Sequence, residues 1–207
     1  MVYNKPASLE PTLFYTRSRI RQADREEVFR QRGCVVWLTG LSGSGKTTII
    51  RILEVKLHFL RHICYTLDGD NLRHGLNSDL GFSAADREEN IRRAGEVSAL
   101  FADAGLITLC AFISPFRSDR EKIRRIVTPE RFVEVYVNAP LAVCERRDPK
   151  GLYRRARAGE IVDFTGVTSP YEPPEHPQVE LRTDREIPEE SAEKVIAHLK
   201  EHGFVQL

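Results

Sequence analysis

Gly40-Leu41-Ser42-Gly43-Ser44-Gly45-Lys46-Thr47-Thr48 has the G-x-x-x-x-G-K-[ST] spacing of a loop that cradles phosphates. Its flanks agree with that reading. Cys34-Val35-Val36-Trp37-Leu38-Thr39 before it is a short, β-rich apolar run, suited to a parallel strand buried on both faces. After it, Ile49, Leu53, Leu57 and Leu60 recur at helical spacing. The loop therefore joins a strand to a helix N-terminus. Glycines let backbone N–H groups approach the phosphates without a Cβ in the way. The helix start adds unpaired N–H groups and partial positive charge. Lys46 can reach the β- and γ-phosphates of a nucleoside triphosphate, and the Thr47 hydroxyl can bind Mg²⁺. The motif names a nucleotide, not a reaction.

The same alternation continues along the chain. A second strand, Ile63 to Leu67, runs into Asp68-Gly69-Asp70-Asn71. Strand C-terminal ends hold the ligands of open α/β sheets. Carboxylates there suit Mg²⁺-bound water or a hydrogen bond to an attacking hydroxyl, or form a plain acidic turn. Ser83 with Asp86 predicts a helix start after a loop containing Asn77, Gly81 and Phe82. Arg87, Asn90 and Arg93 near that start are candidates for anion binding or for a solvated face. Leu106 to Ile113 reads as a third buried strand ending at Ser114-Pro115. Ser118 with Glu121 predicts a helix directly after it. Phe132 to Val137 is a fourth strand, and Pro140 opens another helix. Positive charge then concentrates between Arg146 and Arg157, and residues 161–177 form a long Gly- and Pro-bearing loop. A basic helix followed by such a loop predicts a lid over phosphates, at about residues 146–177. Val179 to Thr183 predicts a fifth strand, and Ala192, Val195, Ile196 and Leu199 a closing amphipathic helix. The expected architecture is a three-layer α/β P-loop kinase fold: a five-stranded parallel sheet, helices on both faces and a basic lid.

Bulk properties narrow the function. A chain of 207 residues fits one domain with a sizeable core. A net charge of +1 is no polyanion-binding composition, so no nucleic-acid partner is expected. Apolar runs are too short for a membrane span, and the N-terminus shows no apolar signal-peptide core. The four cysteines lack metal-ligand spacing and read as reduced thiols of a cytoplasmic protein. Residues 1–33 read as an arginine-rich arm, solvated or docked on a partner subunit, with a short helix between Ile20 and Phe29. The kinase domain is expected over residues 34–207. No guanine-reading Asn-Lys-x-Asp occurs, which excludes a GTPase switch, and a motor or transporter ATPase would be longer. A small-molecule kinase fits. A sugar-acid or nucleoside-phosphate kinase, or a nucleotide-sensing module without turnover, are the alternatives, though Lys46, Thr47, Asp68 and Asp70 argue for turnover.

A more specific resemblance rests on segments in order from residue 37 to 166: Trp37 to Thr48, Leu67 to Arg73, Leu80 to Ser83, Asp86 to Arg93, Phe112 to Arg117, Asp148 to Tyr153 and Phe164 to Gly166. In these the chain resembles adenylylsulfate kinase, which phosphorylates the 3′-hydroxyl of adenosine 5′-phosphosulfate. The resemblance implies ATP·Mg²⁺ at Gly40 to Thr48, with lid arginines Arg147 and Arg154, and with Thr47 and Asp68 on the metal. It implies an acceptor base stacked between Phe82 and Phe164 and a phosphosulfate held by Arg73 and Arg87. It also implies acceptor contacts from Asp70, Asn71, Asn90, Ile113, Ser114, Lys150, Leu152 and Thr165. Asp68 would orient or deprotonate the 3′-hydroxyl, and Lys46 would stabilise the transferring phosphoryl. A homodimer and a functional link to an ATP sulfurylase are further implications. The family is often described with a phosphoserine at the position matching Ser114. No histidine lies near Ser114 in sequence to serve as its base, so direct in-line transfer is expected, with Ser114 in the active site and extended before Pro115.

Overall fold

The computed structural model describes Phe14 and residues 16–206; the rest of the expected arm lies outside the described residues. In chain order the elements are α1 (Gln22–Phe29), β1 (Cys34–Thr39), α2 (Lys46–Phe59), β2 (Cys64–Asp68), α3 (Gly69–Leu72), α4 (Ala84–Asp103), β3 (Ile107–Ala111), α5 (Arg117–Val127), β4 (Phe132–Asn138), α6 (Leu141–Arg147), α7 (Leu152–Arg157), β5 (Val179–Arg182) and α8 (Pro188–Glu201). The strands form one parallel sheet in the order β2-β3-β1-β4-β5.

β1 is central, and all six of its residues are buried. Its alternating side chains divide between two cores. Cys34, Val36 and Leu38 meet α2 and α8, while Val35 and Trp37 meet α4 and α5. Trp37 stacks on Phe112 at 4.8 Å between ring centroids. Two-sided burial is why this strand reads as an unbroken apolar run. The sheet's order reverses at β1, so the loop leaving its C-terminal end opens at the topological switch point, where ligands bind. A third, small core of Ala139, Cys144, Tyr153, Ala156 and Phe164 lies under the lid.

Three local expectations change. The helix after β3 begins at Arg117, not at a Ser118 capping box. Its N-terminus is capped from far along the chain: the Glu172 carboxylate accepts from the Arg117 amide at 2.8 Å. The basic stretch is two short helices, not one. Asp148 turns the chain between them and accepts from the amides of Tyr153 and Arg154, both at 3.1 Å. Finally, α1 is docked on its own chain. Gln22 donates to the Ala102 carbonyl, Arg25 pairs with Asp103, and Glu26 pairs with Arg131. Gln31 is buried, donating to the carbonyls of Ile63 and Gly105 and accepting from the Ile63 amide.

Gly33 sits at that joint. A Cβ there would lie 2.0 Å from the Ala102 carbonyl oxygen, and backbone cannot rotate away as a side chain could. Gly33→Ala should destabilise the protein by about 1–3 kcal/mol, read as a lower urea midpoint at unchanged m-value.

Candidate active site

The C-terminal ends of the strands open into a cleft of about 1730 Å³. The loop after β1 forms its floor. Gly40 (φ 154°) and Gly43 (φ 72°) take backbone conformations that suit glycine. A Cβ on Gly40 would meet the Val137 carbonyl at 2.5 Å, and one on Gly43 the Cys144 carbonyl at 2.9 Å. The glycines thus let the loop lie directly against β4 and α6.

Lys46 is buried at the first position of α2, its Nζ donating to the carbonyls of Gly40 (2.9 Å) and Leu41 (2.8 Å). Desolvation there lowers its pKa to about 8. Arg147, from the C-terminal end of α6, donates to the Thr183 carbonyl at 2.5 Å and to the Gly43 and Ser44 carbonyls at 3.4 Å. It stands over the loop as a second cation. Thr47 Oγ1 donates to Asp68 Oδ2 at 3.1 Å. A hydroxyl and a carboxylate at one point beside a phosphate loop are hard oxygen donors that suit Mg²⁺. No cluster of three or more His, Cys, Asp or Glu that could hold a metal occurs among the described residues, so phosphate oxygens and water would complete the cation's shell.

The far side of the cleft gathers most of the predicted acceptor residues: Asp68, Asp70, Asn71, Arg73, Phe82, Arg87, Asn90, Ile113, Ser114, Lys150, Leu152, Phe164 and Thr165 all line it. Asp68 caps α3, accepting from the Asp70 amide at 2.9 Å. Asp70 pairs with Lys150 of the lid. Arg73 donates to the Leu80 and Gly81 carbonyls and lies 4.4 Å from the centre of the Phe82 ring. Arg87 donates to the Asp163 carbonyl at 2.6 Å, joining α4 to the lid loop. Buried Asn77 donates to Asn90 Oδ1 at 3.0 Å and fixes that amide. The two phenylalanines differ: Phe82 is 69% exposed, whereas Phe164 is 8% exposed and meets Tyr153 edge-on at 5.0 Å.

Other predicted residues stand apart. Arg93 is occupied by Asp79 and Glu89. Gly40 and Ser44 are buried behind the cleft lining, and the Leu41 side chain packs into the core under the lid. Arg154 is exposed and outside the lining. Ser114 is buried but not extended: its φ is 39°. Its Oγ accepts from the Trp37 indole at 3.1 Å, and its carbonyl accepts from Arg120 at 2.6 Å. These bonds override the local preference of a residue before proline. Sequence reasoning missed Thr183, Glu186 and Arg155, which also line the cleft. The Thr183 hydroxyl donates to the Ser44 carbonyl at 2.7 Å. Its place directly after β5 was the available signal.

Comparison with known proteins points to one family. The family model described as adenylylsulphate kinase matches residues 32–182. An adenylyl-sulfate kinase from Clostridium acetobutylicum is 52% identical over 191 residues, 92% of this chain and 95% of that one. Among solved structures, the Mycobacterium tuberculosis APS kinase CysC in complex with AMPPNP and APS superposes with a TM-score of 0.79 at 50% identity, covering 82% of this chain and 99% of that one. The hexameric APS kinase from Thiobacillus denitrificans superposes with a TM-score of 0.67 at 30% identity, covering 89% of this chain and 31% of that one.

The depressed Lys46 pKa gives a pH prediction. Between about 8 and 10.5 the folded protein holds fewer protons at Lys46 than the unfolded chain, so this group's contribution to stability rises with pH through that window. Phosphates favour the charged amine and reverse the shift. At pH 8.5, binding of an ATP analogue should therefore take up a substantial fraction of a proton, measured by calorimetry in buffers of different ionisation enthalpy. Lys46→Met should bind more weakly and abolish the uptake.

Proposed function

The chain belongs to the adenylylsulfate kinase family, and from that premise and the cleft's geometry we infer how its residues divide the reaction. It transfers the γ-phosphoryl of ATP to the 3′-hydroxyl of adenosine 5′-phosphosulfate, giving 3′-phosphoadenosine 5′-phosphosulfate and ADP, a step of sulfate assimilation. One observation carries the division of roles: the phosphate loop with Lys46, the Thr47–Asp68 pair and the acceptor-side residues open into a single cleft.

Lys46 and Arg147 hold the β- and γ-phosphates and stabilise charge on the transferring group. Thr47 and Asp68 would hold Mg²⁺, which would neutralise phosphate charge. Asp68, pinned by its own helix cap, orients or deprotonates the acceptor hydroxyl. Phe82 and Phe164 stack the acceptor base, one from the rim and one from the core under the lid. Arg73 and Arg87 offer guanidinium forks to the phosphosulfate. Asp70, Asn71, Asn90, Ile113, Lys150, Leu152 and Thr165 complete the acceptor wall, with residues 146–177 as the lid. We give the phosphate-clamping role to Arg147, because it bonds the loop carbonyls, while Arg154 is exposed outside the cleft lining.

We assign the protein to the cytoplasm as a homodimer. No described helix is long and apolar enough to cross a membrane. β2 is an edge strand, and Val55 and Phe59 on α2, Tyr65 on β2 and Leu100 on α4 are exposed apolar side chains of the kind a second copy would cover. The acceptor's mixed phosphate–sulfate anhydride calls for an enzyme that adenylylates sulfate, hence a functional link to an ATP sulfurylase.

Three experiments test this reading. ADP release should require adenosine 5′-phosphosulfate when that acceptor is compared with gluconate, shikimate and nucleoside monophosphates; turnover confined to another acceptor would overturn it. Ser114 accepts a hydrogen bond from Trp37, and among the described residues no base is bonded to its hydroxyl, which supports direct transfer. Ser114→Ala should lose less than about tenfold in kcat, against orders of magnitude for an obligatory nucleophile, and a chiral γ-phosphate should be transferred with inversion.

A further inference from the structure

Behind the acceptor wall lies a charged cluster with no place in the reaction as described. Arg120 on α5 is 2% exposed. Its guanidinium is divided three ways: Nε donates to Glu134 Oε1 on β4 at 2.7 Å, Nη1 to the Ser114 carbonyl at 2.6 Å, and Nη2 to the Glu172 carbonyl at 2.8 Å. Glu134 is buried as well, and its other oxygen accepts from Arg124 at 2.9 Å.

Charge balance alone would need only the Arg120–Glu134 pair. The two remaining bonds go to backbone carbonyls on either side of the arginine. One belongs to Ser114, whose positive φ is unusual for a residue with a side chain. The other belongs to the strap that leads from the lid back to β5. A parallel strut reinforces the strap: Tyr171 Oη bonds Thr39 Oγ1 at 3.0 Å, and Thr39 Oγ1 in turn donates to the Ile113 carbonyl at 2.8 Å. Thr39 is the last residue of β1, directly before the phosphate loop. The Glu172 amide also donates to the Pro115 carbonyl at 2.9 Å. Only a planar fork reaches three acceptors from one buried position; a lysine ammonium cannot span them.

We propose that Arg120 is a positioning residue for the phosphoryl acceptor: it holds the Ile113–Ser114 turn in shape and ties it to the strap at the base of the lid, so that lid seating and acceptor placement are set by one buried cation. Tyr171, through Thr39, assists. This rests on the reading of Ile113 and Ser114 as acceptor-side residues. It assigns importance to the Ser114 backbone, not to its hydroxyl.

The test separates positioning from bulk stability. Arg120→Lys keeps a charge for Glu134 but loses the fork. Arg124→Met removes the other partner of the same carboxylate without touching Ser114 or Glu172. Steady-state kinetics on both, well below their melting temperatures, should show the KM for adenosine 5′-phosphosulfate raised roughly tenfold in Arg120→Lys, the size expected from one charge-assisted hydrogen bond, with the KM for ATP within about twofold. Arg124→Met should melt earlier and leave both KM values in place. Tyr171→Phe, which deletes one hydroxyl, should raise the acceptor KM about threefold and decides the matter if Arg120→Lys does not fold. An unmoved acceptor KM, an equal rise for both substrates, or the same split in Arg124→Met would overturn the inference. Absence of acceptor-dependent turnover in the unsubstituted protein would instead bring down the function reading, and this inference with it.

Discussion

An ammonium group buried at the start of a helix faces two penalties at once. It has lost water, and the helix amides beside it already carry partial positive charge. Lys46 is in that position. Two carbonyls of its own loop accept from it, which offsets part of the cost, and its lowered pKa records what is left over. A polyphosphate supplies the missing countercharge. The rest of the loop follows from this arrangement. The glycines bring backbone against β4 and α6 closely enough to shape the cradle. The strand before it is buried on both faces, so the cradle cannot drift. Thr47, one residue on, is carried by the helix to the carboxylate of Asp68.

The lid is fastened by bonds that run between distant parts of the chain. Arg147 reaches the Gly43 and Ser44 carbonyls within the phosphate loop and the Thr183 carbonyl directly after β5. Asp148 turns α6 into α7. Tyr153, whose hydroxyl donates to the Ser42 carbonyl at 2.9 Å, packs with Phe164 in a small core of its own. Beyond the lid loop, Glu172 caps α5 and Arg117 reaches Pro173 and Glu175. The segment is therefore anchored at both ends, while in its middle Val162 and Asp163 are exposed beside the bond from Arg87 to the Asp163 carbonyl. Such an arrangement lets a loop move without losing its registration on the sheet.

What was legible in the sequence was whatever depends on local pattern. The phosphate loop announces itself because its glycines, lysine and threonine must occur at fixed spacing between a strand and a helix. Strand identities follow from two-sided burial, and Ser83 caps α4 as its spacing with Asp86 suggested. What was not legible depends on partners far apart in sequence. A helix start at Arg117 cannot be foreseen when its cap is Glu172, 55 residues on. The backbone of Ser114 is governed by Trp37 and Arg120, which overrule the proline that follows it. The basic run between Arg146 and Arg157 looks uniform as sequence. Only the turn at Asp148 separates Arg147, which bonds the phosphate loop, from Arg154, which is exposed and outside the cleft lining.

The acceptor side has a feature that bears on how it selects its substrate. Its charged groups are bonded to one another or to backbone: Asp70 to Lys150, Arg87 to the Asp163 carbonyl, Arg73 to the carbonyls of Leu80 and Gly81. An incoming anion must exchange some of these bonds for its own. A single weak anion gains little from the exchange, since a charge-assisted hydrogen bond to a carbonyl is surrendered for each one made. On the roles proposed for Arg73 and Arg87, a dianionic phosphosulfate with several oxygens would satisfy both together and release the lid loop at Asp163 to move. In the proposed arrangement the base of the same molecule would stack between Phe164, already ordered in its core, and Phe82, exposed at the rim. Selectivity of this kind comes from requiring charge and aromatic contact at the same moment, so that a ligand carrying only one of the two leaves the internal bonds as the better option.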